Sequence, residues 1–274
     1  MIQNYITYLS KIRGYSQNTT IAYEKDIRAF ASWMREYDHN ARWSTISRED
    51  IDAYIIYRNN QGAKPSTTNR ALAAISGLYR YLKREGYEIN NPCQYESRRK
   101  IGSTIPNTIQ NGSLRVAYKN AKGVAKFMLG ILMTTGIRIQ EMLDLRWQDV
   151  NFEEYTLRIN GKGSKQRIVY TTEEVLAKAK EIRQYARPDM RMFWLNQRQT
   201  RALIYSALKP YCRANQLSPH AIRHSFATEL AKQGANVATI SNLLGHNSIK
   251  TTQKYIDMTQ VSTKEAARKL HMLN

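Results

Sequence analysis

The sequence predicts a mainly α-helical chain of two domains, the second interrupted by one small β-hairpin. Three observations lead there. The chain has 274 residues, more than one domain usually takes. Apolar residues recur at three- and four-residue spacing along most of it. One stretch alternates instead, on both sides of a glycine-flanked turn, in the manner of paired strands. With 42% hydrophobic and 23% charged residues, the composition is that of a chain able to bury a core.

In the first hundred residues every element reads as helix. Ile2, Tyr5, Ile6 and Leu9 recur at helical spacing until Gly14 breaks the pattern. Ser16 is placed to cap a second helix with Ile21, Ile27, Phe30 and Trp33 on its apolar stripe. Ser47, with Asp50 three residues on, opens a third helix through Ile51, Tyr54 and Ile55. Ser66, just after Pro65, opens a fourth, striped by Ala71, Leu72, Ile75, Leu78, Tyr79 and Leu82 and ending near Gly86. Four short amphipathic helices can close one core, which gives a first domain over 1–97. Residues 98–111 change character: Arg98, Arg99 and Lys100 precede a polar stretch holding Pro106, and they read as a basic linker. The second domain, 112–274, opens on a strongly apolar helix from Val124 to Thr135. The strand-like runs YTLRI and RIVY then flank Gly161-Lys162-Gly163-Ser164-Lys165 as a hairpin, and helices resume after Thr172. Near the end, Ser262 to Met272 reads as a tail helix with Ala266, Ala267 and Leu270 on one stripe.

Charge and composition restrict the function. The 42 Lys and Arg against 22 Asp and Glu leave a net charge of +20, which calls for a polyanionic partner, most simply nucleic acid. The run from Phe127 to Ile137 is too short for a membrane span. The N-terminus lacks the basic and apolar regions of a secretory signal. The two cysteines, Cys93 and Cys212, form no C-x-x-C pair, which fits a reducing cytoplasm.

Four patches carry chemistry. Arg138 follows a helix break at Gly136, which presents a guanidinium beside a backbone turn. Lys162 sits between two glycines at the hairpin tip. His220 and Arg223 follow Pro219 at a helix start and share a face at i, i+3, with His224 at i+4. His246 ends a Leu-Leu-Gly-His run, and Tyr255 lies nine residues on. Singly, each has an ordinary reading: a surface arginine, a solvated turn lysine, a locally bonded His224, one core tyrosine among 18. His220 and His224 also allow a metal-chelating reading, although the Glu of an H-E-x-x-H site is missing.

Taken together and in order, the patches resemble the tyrosine recombinases, the phage-integrase and Xer-type family. TGIRIQEMLDLRWQDV is similar to the family's first arginine box, NGKGSKQR to its hairpin lysine, HAIRHSFAT to its H-x-x-R box, and LLGH followed by Tyr255 to its last histidine and nucleophile. GYSQNTTIAYEKDIRAF and KPSTTNRALAAISGLYRYLKREGYEINNP are similar to its core-binding domain. The resemblance therefore spans nearly the whole chain. It implies the tyrosine recombinase fold: a four-helix, SAM-like core-binding domain followed by a mostly helical catalytic domain with a small β-sheet.

Transesterification of a phosphodiester needs a nucleophile, charge stabilisation at the phosphate and a proton for the leaving oxygen. The set would meet those needs. Tyr255 is the expected nucleophile, while Arg138 and Arg223 clamp the phosphate with guanidinium groups that stay charged. The resemblance implies Lys162 as general acid to the 5′ oxygen, His220 as acid/base and His246 as hydrogen-bond donor to the phosphate. Glu141, one helical turn from Arg138, is read either as holding that arginine or as a solvated carboxylate. No cofactor and no metal is expected, because the bond energy is held in a 3′-phosphotyrosine. Candidate DNA contacts are Lys64, Ser66, Thr68 and Arg70 at the start of the fourth helix, and Lys165 and Arg167 beside the hairpin tip.

The expected function is site-specific recombination of double-stranded DNA carrying two inverted half-sites, for integration or excision, inversion or dimer resolution. The expected assembly is a homotetramer on two DNA sites, monomeric or dimeric off DNA and clamped around the duplex, with the tail docked on a neighbouring protomer or on its own. The expected setting is the cytoplasm, at the nucleoid or as the product of a phage or mobile element, with no membrane partner. The alternatives are a type IB topoisomerase-like nicking-closing enzyme, a catalytically silent DNA-binding protein of the same fold, and a zinc hydrolase built on His220 and His224.

Overall fold

The computed structural model describes residues 1–94, 107–161, 165–183, 185–246 and 251–257. Lys162, most of the expected linker and the expected tail helix lie outside the described residues. The chain divides into two compact units, Met1–Ser103 and Thr104–Asn274.

The first unit is built from α1 (Ile2–Lys11), α2 (Gln17–Tyr37), α3 (Arg48–Asn60) and α4 (Pro65–Arg84). Local chemistry sets their starts. Ser16 accepts the Thr19 N–H, and Ser47 and Asp50 form a reciprocal capping box. The fourth helix begins earlier than Ser66: Pro65 takes the first helical position, where its missing N–H costs nothing, and Lys64 is the cap residue. One cluster joins Phe30, Trp33, Ile51, Tyr54, Ile75 and Tyr79, and a second joins Tyr5, Leu9, Ile27, Leu78 and Leu82. Ile21, expected on the apolar stripe of α2, is 56% exposed, because six residues put it about a third of a turn round the helix from Ile27. The buried carboxylate of Asp26 in α2 is held by Arg70 of α4 at 2.7 Å.

In the second unit, α6 (Gly123–Thr135) is the central helix. Met128, Leu129, Ile131 and Leu132 are all buried, as its nearly continuous apolar sequence requires. Around it pack α5 (Asn111–Asn120), α8 (Glu173–Arg183), α9 (Gln197–Leu208) and α10 (Pro219–Lys232). Residues 107–110, within the stretch read as linker, are part of this packing: Ile109 is in the core and its N–H donates to Ser225 Oγ at 2.7 Å.

The expected hairpin is present as β2 (Thr156–Asn160) and β3 (Gln166–Tyr170), antiparallel with Leu157 opposite Val169 and Asn160 opposite Gln166. A two-residue strand, β1 (Val150–Asn151), extends it to three strands by pairing with β2. Leu157, Ile159 and Val169 turn into the core while Arg158, Ile168 and Tyr170 face out. Two short helices complete the unit's working edge: α7 (Ile139–Asp144) and α11 (Val237–Leu244). Residues 251–257 form the last helix among the described residues, here α12.

Candidate active site

Two left-handed glycines bring the site together. Gly136, at φ 61°, ends α6 and turns the chain so that Arg138 caps α7. Gly245, at φ 62°, ends α11 and starts the turn that carries His246. Both conformations strain any residue with a Cβ. Neither position has room for one: a Cβ on Gly136 would lie 2.3 Å from the Phe226 ring, and one on Gly245 would lie 2.7 Å from the Arg167 guanidinium.

The last carbonyls of α11 and its turn are taken by three arginines from three other elements. Arg167 Nε of β3 donates to Leu243 O at 2.8 Å. Arg223 Nη2 of α10 donates to Leu244 O at 2.7 Å, and its Nη1 to Gly136 O at 2.8 Å. Arg138 Nη2 donates to Gly245 O at 3.1 Å. These are the orphan carbonyls of a helix C-terminus, where the macrodipole is negative and cations are favoured. The positive charges are thereby gathered with one carboxylate among them. Glu141, the third residue of α7, accepts the Arg138 backbone N–H and the Arg138 guanidinium, both at 2.8 Å. It also receives Arg167 through both oxygens, at 3.1 and 2.8 Å. Of the two readings of Glu141, the structure supports the one in which it holds Arg138.

Arg138, His220 and Arg223 line one open cavity of about 570 Å³. Arg138 also lines a second, of about 740 Å³, together with Lys165, Arg167 and His246. Arg138 thus stands on the wall shared by a histidine-bearing groove on each side. Burial lowers the Arg223 guanidinium to about 10, with Arg138 adding to the effect, so it keeps its charge at neutral pH. Burial also lowers His246 to about 4, helped by Arg223 and Arg138, and it lowers His220 below its usual value, helped first by Arg223. Both imidazoles are neutral near pH 7. His246 Nδ1 is bonded to Thr252 Oγ1 of α12 at 2.7 Å, which fixes the ring and leaves Nε2 for another partner.

Tyr255 lies behind this front. It is 1% exposed, packed with Ala227, Ala231, Ile240 and Leu244, and its Oη is 2.5 Å from His224 Nδ1. Burial pushes the phenol up to about 12, opposed by Arg223. His224 is lowered to about 3, first by burial and then by the neighbouring His220, whose ring lies 4.3 Å away. His224 was legible only as an i+4 neighbour of His220, with a locally bonded ring as its ordinary reading. The structure gives that bond its partner, the candidate nucleophile.

Two of the expected DNA contacts sit elsewhere than expected. Thr68 is completely buried in the first unit, on the face of α4 that makes its core. Arg167 is 12% exposed and engaged inside the second unit. Lys64, Ser66, Arg70 and Lys165 are exposed.

The model of the phage integrase family matches residues 107–261, and that of the phage integrase N-terminal SAM-like domain matches residues 2–86. Tyrosine recombinase XerD of Haemophilus influenzae is 31% identical, with 94% of this chain and 92% of that protein covered. Tyrosine recombinase XerD of Oceanobacillus iheyensis is 29% identical, with 98% and 97% covered. Among solved structures, the XerH site-specific recombinase bound to a palindromic difH substrate in a post-cleavage complex aligns at a TM-score of 0.76 and 20% identity, covering 97% of this chain and 84% of that one. A lambda integrase dimer bound to a COC′ core site aligns at 0.71 and 19%, covering 93% and 75%. These structural likenesses speak to the fold.

Proposed function

The chain belongs to the phage integrase family and is a tyrosine recombinase, a site-specific recombinase; we propose that it cuts and rejoins double-stranded DNA through a 3′-phosphotyrosine on Tyr255. The observation that carries this reading is that Arg138 stands between a cavity it lines with His220 and Arg223 and a second it lines with His246, with Tyr255 bonded to His224 beside them.

Arg138 and Arg223 grip the two non-bridging oxygens of the scissile phosphate, and their charge opposes the charge that builds up in the pentavalent transition state. A bound phosphodiester brings negative charge beside His246 and His220, whose values are held down first by burial and then by surrounding cations. The anion raises both, so that His246 donates a hydrogen bond to the phosphate and His220 trades a proton with the nucleophile. Tyr255 attacks phosphorus, the P–O bond to the 5′ oxygen breaks, and that oxygen takes a proton from Lys162. A 5′ hydroxyl of the partner strand then reverses the step and frees Tyr255, with no net bond energy lost.

The phenol is buried, paired to His224 and hard to ionise, so attack requires Oη to leave His224. Binding DNA selects the arrangement in which it has done so. The relatives match over nearly their whole length as recombinases, and neither the nicking-closing nor the silent reading is favoured.

Exchange between two duplexes requires two cuts in each, hence four protomers on two sites of paired inverted half-sites. Lys64, Ser66, Arg70 and Lys165 are proposed to contact the backbone, and the cytoplasmic nucleoid is the proposed setting. The test is to capture DNA on the purified protein, sequence it, and place two copies of the recovered site on one plasmid with EDTA present. The expected result is an inverted repeat that recombines in chelator. Recombination that stops in EDTA and returns with Mg²⁺ or Zn²⁺ would contradict the metal-free mechanism.

A further inference from the structure

Arg167 carries one of the least exposed arginine side chains of the second unit, and its guanidinium is engaged on two sides. Nε holds the Leu243 carbonyl at the end of α11, while Nη1 and Nη2 grip both oxygens of Glu141. Glu141 is itself only 8% exposed and grips Arg138 with the same two oxygens. Two residues beyond Leu243 the chain makes its left-handed turn at Gly245, whose carbonyl receives Arg138 and where a Cβ would lie 2.7 Å from the Arg167 guanidinium. His246 follows at once. A single side chain on the sheet therefore braces both the base of Arg138 and the turn that presents His246.

We propose that Arg167 is a positioning residue for phosphate recognition: without touching the phosphate, it fixes Arg138 through Glu141 and His246 through the Leu243 carbonyl. The inference rests on the reading of Arg138 and His246 as phosphate ligands. Its physical basis is the fork geometry of the guanidinium. One planar group makes a bidentate grip on a carboxylate and a third bond in another direction, which an ammonium cannot do. Arg167 also balances Glu141. When it is removed, the buried carboxylate keeps Arg138 as its one cation and competes with the phosphate for that guanidinium. Displacement of a reacting geometry by about 1 Å is enough to cost on the order of 100-fold in rate.

The experiment compares Arg167→Gln, Arg167→Lys and Arg138→Gln with the unaltered protein on a nicked duplex half-site. It measures affinity, the salt dependence of affinity, and single-turnover formation of covalent adduct. The adduct assay is run with an ordinary scissile phosphate and with a methylphosphonate, in which a methyl group replaces one charged oxygen. Arg167→Gln is expected to bind within about twofold of the unaltered protein with the same salt slope, and to form adduct at least about 100-fold more slowly on the ordinary phosphate. The neutral phosphonate asks less of the arginine clamp, so the loss is expected to shrink about tenfold or more there, as it does for Arg138→Gln. Arg167→Lys, which keeps charge and stem, is expected to show the same substrate dependence and answers the question should the glutamine variant not fold. An equal loss on both substrates would overturn the proposal in favour of a structural role alone. Weaker binding with a salt slope lower by about one would overturn it in favour of a direct DNA contact. An unaltered protein that forms no adduct on either substrate would overturn the underlying reading of the site, and this proposal with it.

Discussion

Tyr255 is both the most reactive side chain of the proposed mechanism and one of the best buried. Its Oη bond to His224 makes a measurable contribution to the resting fold. Tyr255→Phe leaves His224 Nδ1 without its partner in a closed site, at a cost of about 1 kcal/mol or somewhat more, and the second unit should melt about 2–4 °C lower. An unchanged melting temperature would mean that the bond is not formed in solution. The histidines predict a pH dependence whose sign is fixed. His224 and His246 are held at about 3 and about 4, below the ordinary 6.5. As pH falls below 6.5 the unfolded chain takes up these protons first, so the stability they contribute is whole above that value and is lost as pH falls through the window toward 4 and 3. Glu141, lowered from 4.5, has the same sign but acts only below its own range. Melting should therefore occur at lower temperature near pH 5 than near pH 7.5, with a shallower dependence in His224→Gln. Equal or higher stability near pH 5 would contradict the burial of these imidazoles. At this scale the sequence singled out Arg138, His220, Arg223, His246 and Tyr255 as candidates, because the short motifs that hold them follow one another in a recognisable order. It did not show what Arg167 does, since that depends on Leu243 and Glu141, residues far away in the chain that only the fold brings within reach.

The site is an assembly of element ends. The close of α6, the start of α7, one end of β3, the first turns of α10 and the close of α11 each contribute polar groups to it. Gly136 is where two of these meet: its left-handed φ turns α6 into α7, and its carbonyl anchors Arg223. Gly136→Ala forces a Cβ into the Phe226 ring and into a strained backbone region, at about 1–3 kcal/mol. The urea midpoint should fall accordingly, and adduct formation should fall further than stability alone explains, because the strained turn displaces the backbone carbonyl that anchors Arg223. A variant with an unaltered midpoint would contradict the conformation assigned to Gly136. Elements with a period or a cap were legible: Ser16, the Ser47–Asp50 box and the alternation of β2 and β3 all stand as read. The start of α4 at Pro65 and the inclusion of Ile109 in the second core were not. The first was read from Ser66 as the opening residue, whereas Pro65 itself takes the first helical position, and the second shows that one buried isoleucine in a polar stretch carries no period.

Both units belong to a chain with net charge +20, and that excess should dominate association with DNA. If about six to ten phosphates are contacted, affinity falls about 10³–10⁵-fold between roughly 50 and 200 mM salt. A nearly flat salt dependence, read by gel shift, would contradict a charge-driven interface. The central claim is narrower than binding: one phenol, Tyr255, becomes bonded to the 3′ phosphate of cleaved DNA. The direct measurement uses a half-site duplex nicked so that the cleaved end diffuses away, incubated with the protein in EDTA, digested with protease and mapped by mass spectrometry. A single nucleotide-bearing peptide is expected, modified at Tyr255 and absent in Tyr255→Phe. An adduct on another residue, or an adduct that persists in Tyr255→Phe, would contradict it.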